Sequence, residues 1–298
     1  MQRYIFFPKN TLSLCRKFEK KMKKSIFFVL ILTICAVDCS ISSAQTYDEL
    51  ITRSFDYLEA DSLREAEEAL REALRIEPGN PSNGMLLLNL GTIQRRQGKL
   101  KEAEDSYTIG LAFMPKNLTL LNNRAQLFAE MDKYPEAIND YTEVILQEPE
   151  NENAYYERAL CRLMNQDTLG ARLDLEQIDR FNPNSAKSRL GMAYVYKAQG
   201  LWREASELYD ALIERNPKNA SLLRERAEVY YFSNRMGAAL DDINKSIDFD
   251  PHEPYSYVLR AQIRYAKGDK EFARRDLNRA LDLGLNRDEV SDLIEKLK

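Results

Sequence analysis

A 34-residue period runs through most of this chain, and no other feature narrows the possible folds as far. Recurring prolines set the register, with units beginning at Tyr47, Gly84, Leu118, Glu152, Ala186, Ala220 and Pro254. The seven units cover 47–80, 84–117, 118–151, 152–185, 186–219, 220–253 and 254–287. One extra segment, Pro81-Ser82-Asn83, interrupts them. Asn80 is expected to cap a helix there, with Pro81 in its first turn lengthening that helix. The twentieth position is alanine in every unit: Ala66, Ala103, Ala137, Ala171, Ala205, Ala239 and Ala273. The eighth is always small: Ser54, Gly91, Ala125, Ala159, Ala193, Ala227 and Ala261. Two helices that cross closely need small side chains at the crossing, and these positions supply one on each helix. The twenty-fourth position, Leu70, Tyr107, Tyr141, Leu175, Tyr209, Ile243 and Leu277, is large and fills the space beside it. Proline at the thirty-second position, Pro78 through Pro251, stops the second helix; only the last unit departs, with Leu285. Gly98, Asp132, Gly200, Asn234 and Gly268 at the fifteenth suit the turn between helices. Each unit therefore reads helix, turn, helix, turn. Such a unit cannot bury its apolar face alone, so units in register stack into an all-α solenoid rather than an ordinary bundle.

Both ends are expected to be capped. Asp56 stands at the tenth position of the first unit, where later units carry Ile93, Leu127, Cys161, Val195, Val229 and Ile263. Residues 288–298 are predicted to form a short capping helix with Val290, Leu293, Ile294 and Leu297 on one stripe.

Ahead of the repeats, Lys20, Lys21, Lys23 and Lys24 precede an apolar run from Ile26 to Val37. That run is too short to span a bilayer but fits the core of a signal peptide. Ser42-Ser43-Ala44 places cleavage before Gln45, so 22–44 is expected to be a leader and 45–298 the exported solenoid. A membrane anchor is the alternative. Lipidation fits less well, because Ile34 and Asp38 precede Cys35 and Cys39. Met22 is a better start for such a leader than Met1, which marks 1–21 as a gene-start extension.

The first 44 residues hold eight of the 43 Lys/Arg and two of the 47 Asp/Glu, leaving 35 basic and 45 acidic residues in the solenoid. An acidic protein without a basic stripe is a poor nucleic-acid binder. Three of the four cysteines lie in the same N-terminal stretch, so Cys161 has no disulfide partner in the repeats and reads as a core hydrophobe. No cluster with metal-ligand spacing, phosphate loop or nucleophile–base pair is in view, so neither enzyme chemistry nor a cofactor is expected. The one histidine, His252, falls in a loop between units, and Trp202 is expected to pack at an inter-helix turn.

Comparison of unit with unit shows a paired pattern. The seventh position is arginine in Arg124, Arg158, Arg226 and Arg260, and the twenty-third is aspartate in the same four units: Asp140, Asp174, Asp242 and Asp276. Units 2 and 5 have neither charge, with Leu90 and Ser106 in one and Met192 and Leu208 in the other. These pairs are expected to bridge the two helices of a unit; a recognition ladder is the alternative.

The order of small residue, alanine, large apolar residue and proline on this period resembles the tetratricopeptide repeat. Gly191-Met192-Ala193 through Trp202-x2-Ala205 and Asn216-Pro217 carries it well. The resemblance implies a right-handed superhelical solenoid whose work is to hold a protein or peptide. It also implies that the second, fifth, ninth, twelfth and thirteenth positions of each first helix line the concave face. Those positions select Asn122 and Gln126, then Asn153, Tyr156, Leu160, Leu163 and Met164, then Lys187, Tyr194 and Lys197. Arg224, Glu228, Tyr231 and Phe232 follow, with Tyr255, Gln262 and Tyr265. Tyrosines with interspersed polar groups suit a peptide groove, and Lys187 and Arg224 are expected to select an acidic segment. The repeats of this family that clamp a chaperone's C-terminal carboxylate need a set of which only Asn89, Asn123 and Lys187 match pieces, so that partner is not implied. Asp61-Ser62-Leu63 and Asp167-Thr168-Leu169 resemble an O-glycosylation acceptor pattern of exported proteins, although helix capping explains the same residues. Three functions stay open: an interaction scaffold in the bacterial envelope, a chaperone-like assembly factor of an envelope or secretion machine, and a regulatory subunit of an enzyme.

Overall fold

Seven antiparallel helix pairs follow one another along the chain. They are α1 (Tyr47–Glu59) with α2 (Leu63–Ile76), α3 (Asn83–Arg96) with α4 (Leu100–Phe113), and α5 (Leu118–Glu130) with α6 (Tyr134–Gln147). Then come α7 (Glu152–Met164) with α8 (Thr168–Phe181) and α9 (Ala186–Ala198) with α10 (Trp202–Arg215). The series ends with α11 (Ala220–Phe232) and α12 (Met236–Phe249), then α13 (Pro254–Ala266) and α14 (Lys270–Asp282). The computed structural model describes residues 46–297. The expected leader, its processing site and the extension ahead of Met22 lie outside the described residues.

Local chemistry starts and stops each helix. Thr46 and Glu49 form a reciprocal capping box on α1. Asn117, Asn151, Ser185 and Asn219, each the last residue of a unit, accept from a backbone N–H in the first turn of the next helix at 2.9–3.1 Å. The turn inside each unit needs a left-handed residue at its fifteenth position. All seven adopt it: Gly98, Gly200 and Gly268, and also Asp61, Asp132, Gln166 and Asn234 at φ of 55 to 64°. Aspartate and asparagine tolerate this region; glutamine has no such local compensation. Gln166→Gly is therefore expected to raise stability by about 0.5–1 kcal/mol, net of the entropy glycine loses on folding. Denaturant titration checks this, and an unchanged midpoint would show that Gln166 is not strained.

Close crossing is visible in the core. The seven alanines of the twentieth position are completely buried, and so are the five of the eighth. At Gly91 an added Cβ would lie 2.6 Å from the Tyr107 ring, so that crossing admits no side chain at all. Consecutive helices pack on each other throughout, and first helices also touch across units, α3 on α5, α7 on α9 and α11 on α13. This places the first helices side by side along one face.

Two expectations at irregular places are corrected. Asn80 does not cap a helix and Pro81 is not in one. Residues 80–82 form a turn in which the Ser82 N–H donates to Asn80 Oδ1 at 2.8 Å, and α3 begins at Asn83. Asn83 sets that start, because its buried amide accepts from the Tyr47 hydroxyl at 2.9 Å and donates to the Glu77 carbonyl at 2.7 Å. At the other end, the cap is not one helix over 288–298. A 3-10 turn, Arg287–Val290, leads into a six-residue helix α15, Ser291–Lys296. Val290, Leu293 and Leu297 still enter the core cluster of Ala261, Ile263, Ala273 and Leu277. Asp56, at the opposite end, is exposed.

The arginine–aspartate pairs form in all four units with one geometry. Arginine Nε and Nη2 donate to the two carboxylate oxygens at 2.6–3.0 Å in Arg124–Asp140, Arg158–Asp174, Arg226–Asp242 and Arg260–Asp276. Sequence comparison missed a third member. Each arginine's Nη1 also reaches the twenty-fifth position of the preceding unit: Thr108, Thr142, Asp210 and Asn244, at 2.7–3.2 Å. The pairs therefore tie unit to unit as well as helix to helix. The signal was present, since a polar side chain able to accept stands at that position before each arginine-bearing unit. Arg162 and Arg264 add a second guanidinium to Asp174 and Asp276 at 2.8 and 2.6 Å.

Candidate partner-binding groove

The face made by α7, α9 and α11 collects most of the expected groove residues. Tyr156, Leu160, Tyr194, Arg224 and Tyr231 are all half-buried there, and Lys187 is exposed. The Lys187 ammonium lies over the Tyr156 ring at 5.9 Å and hydrogen-bonds Asn153. Lys197 lies over the Tyr194 ring at 5.6 Å. Burial, then the charge of Glu225, pushes the Tyr194 hydroxyl up to about 12. Burial likewise raises the Tyr156 hydroxyl, with Tyr194 second. Tyr231 packs edge-on to Phe232 at 5.2 Å, and Phe232 stacks on Trp202 at 5.4 Å, so Trp202 sits at the inter-helix turn as a packing residue.

Other expected residues are engaged elsewhere. Asn122 donates to the Leu118 carbonyl of its own helix at 2.7 Å, and Gln126 accepts from Arg95 at 3.1 Å. The Tyr255 hydroxyl donates to Glu289 at 2.7 Å, so it holds the C-terminal cap rather than standing free.

The charges correct one expectation. Lys187 and Arg224 are expected to select an acidic segment of the partner. Arg224 instead lies 3.2 Å from Glu225, and Lys197 bridges Glu225 and Glu228 at 2.7 and 2.6 Å. Glu225, the next residue on α11, takes up Arg224 and, across units, Lys197, whereas among the described residues no carboxylate contacts Lys187; a list of concave positions leaves Glu225 out. Glu157 was also missed. Its carboxyl is raised above the ordinary range by burial, which the charge of Lys187 opposes. A carboxyl raised in the folded state holds its proton more tightly there than in the unfolded chain. Above the folded pKa the full cost of ionising it is present; below the unfolded value both states are protonated and the cost vanishes. Glu157→Gln is thus expected to melt higher than wild type at pH 7, with the gap closing as pH falls below the ordinary carboxylate range. Equal melting at neutral pH would contradict this.

Among the described residues no group of three or more His, Cys, Asp or Glu is placed to hold a metal ion. Cys161 is buried, with its thiol pushed up to about 11 by desolvation, and His252 is exposed in a loop. Asp167 caps α8 by accepting from Gly170 N–H at 2.9 Å, whereas Ser62 makes no side-chain cap on α2.

A sequence model of the tetratricopeptide repeat matches residues 56–114, 122–186 and 190–254. The chain belongs to the tetratricopeptide repeat family. A crystallised tetratricopeptide repeat protein from Parabacteroides merdae is 38% identical, with a TM-score of 0.80 over 85% of this chain and 99% of that one. The fold is accordingly the family's all-α, right-handed superhelical solenoid, and this repeat fold generally serves as a protein-interaction scaffold. The chain is also similar to the Hsp70-Hsp90 organizing protein of Triticum aestivum, 25% identical over 69% of this chain. A third likeness is to the mitochondrial import receptor subunit TOM70 of Homo sapiens, 21% identical over 88% of this chain. This chain spans 42% and 45% of those two relatives, less than half of either.

Proposed function

We propose that this protein is an exported, non-enzymatic scaffold of the bacterial envelope that holds a peptide or an exposed segment of a protein in its concave groove, across repeats 4–6. The observation that carries the reading is the run of half-buried tyrosines on adjacent first helices, Tyr156, Tyr194 and Tyr231, set among charged side chains. Tyrosine offers a large contact area with little rotamer entropy to lose, and its hydroxyl can bond a peptide backbone. The printed names of the wheat and human relatives keep a client-handling assembly factor as the second reading. Recognition of a chaperone's terminal carboxylate is not part of either, because of the lysine, asparagine and arginine set that holds such a group only Asn89, Asn123 and Lys187 match pieces here.

A photo-crosslinking residue at position 194, tested in the native host, is expected to capture one dominant partner, and the same residue at the exposed position 207 on α10 to capture none. A ladder of many captured proteins would favour the assembly factor, and capture only from position 207 would end the groove reading. Export predicts a mature N-terminus at Gln45 by mass spectrometry; a retained leader, or lipid on Cys35 or Cys39, contradicts it.

A further inference from the structure

The repeat supplies its own internal comparison. Glu157 and Glu225 are both the sixth residue of a unit's first helix, on α7 and α11. At Glu225 the twelfth residue of the preceding unit, Lys197, sets its ammonium 2.7 Å from the carboxylate and 2.6 Å from that of Glu228. Arg224 adds a contact at 3.2 Å, and the Tyr209 hydroxyl donates at 3.4 Å. At Glu157 the same positions hold other residues. Ala129 replaces Lys197, Tyr156 replaces Arg224 and Leu160 replaces Glu228, while Tyr141 matches Tyr209. Position twelve does reach across units elsewhere, since Arg95 in unit 2 bonds Gln126 and Glu130 in unit 3. An alanine there cannot. Among the described residues Glu157 therefore has no cation in contact: Lys187 acts on it only through its field, and that ammonium is spent on Tyr156 and Asn153.

A half-buried carboxylate with no bonded partner costs stability, and a positioned cation would return much of that cost. Resting on the groove reading above, we propose that Glu157 anchors a basic side chain, lysine or arginine, of the bound partner, which takes the place beside Glu157 that Lys197 takes beside Glu225. The occupant's chemistry is the one this chain itself uses at the equivalent site. Tyr156 and Leu160 flank the carboxylate where Arg224 and Glu228 flank the other, so the aliphatic stem of the incoming residue meets an aromatic ring and an apolar side chain. The solenoid's excess of acidic over basic residues, 45 against 35, favours a basic partner over long range as well.

The test uses the immobilised full chain and a library of short, end-blocked peptides that carry Lys, Arg, Ala or Glu at one scanned position. Retained peptides are expected to share Lys or Arg in one register. Their retention should fall about ten-fold or more in Glu157→Gln, the loss of a charge-assisted contact. Ala129→Lys supplies the cation in cis. It should block the same peptides while raising the melting temperature, which separates occupation of the site from damage to it. If peptides bind with no preference at the scanned position, or if Glu157→Gln retains the basic ones as wild type does, the anchor is wrong and the groove stands. If no peptide of any composition binds wild type, the groove reading falls and the anchor with it.

Discussion

Asp174→Ala is expected to lower the unfolding free energy by about 3–5 kcal/mol. Asp174 is almost fully buried and receives two guanidiniums, Arg158 through a two-point fork and Arg162 at 2.8 Å. Removing it leaves Arg158 without its carboxylate and Arg162 with only Asp167 at 3.8 Å, and Arg158 cannot reach water without leaving Thr142 of the preceding unit, which it holds at 2.9 Å. The loss should therefore appear at a boundary between units as well as within one. In a stack where each unit contacts only its neighbours, weakening one boundary can split a single melting transition into two. Thermal melts should fall by roughly 10 °C or more, read by circular dichroism. The control is the double substitution Arg226→Met with Asp242→Leu, which installs the Met192/Leu208 combination of unit 5. An apolar pair of similar volume commonly replaces a buried ion pair at little cost, so this variant should melt close to wild type while Asp242→Ala alone does not. If Asp174→Ala melts like wild type, the ion pairs contribute nothing to the stack.

Tyr194→Ala is expected to weaken the captured partner by about 1–3 kcal/mol without unfolding the solenoid. Tyr194 lies at the middle of the groove, its ring under the Lys197 ammonium and its hydroxyl within the field of Glu225 and Glu228. Truncation removes contact area at the centre of the surface, where water is most completely excluded by the partner. Arg224→Ala should weaken binding less, because that guanidinium already faces Glu225 inside the protein. Glu207→Ala should change nothing, since Glu207 is an exposed α10 residue whose one ion pair, with Arg203, is also exposed. Affinity of the crosslink-identified partner for each variant, with a melting curve for each, checks the set. Full binding by Tyr194→Ala together with loss in Glu207→Ala would place the interface on the convex side.

The two predictions differ in how far the sequence could have reached them. The helix pairs, their crossings and their ends were legible because each depends on a residue type that physics requires at one place in every unit. A small residue lets two helices cross at Ala66 and its equivalents, a left-handed residue closes the inner turn, and a proline just past the second helix stops it in six units, whereas the last unit stops at left-handed Gly284. Seven repetitions turn a weak preference into a pattern, and even the arginine–aspartate pairs emerged from it because both partners lie inside one unit. Tertiary structure alone decided the relations between units. Stacking sets the twelfth residue of one unit over the sixth and ninth of the next, so Lys197 meets Glu225 and Glu228 at separations of 28 and 31 residues. It lays the cap's Glu289 beside Tyr255, 34 residues away. Those separations depend on the superhelical twist, which no side chain within a single unit encodes. The same carboxylate is consequently paired at Glu225 and unpaired at Glu157, and what distinguishes them is whether the unit before carries Lys197 or Ala129.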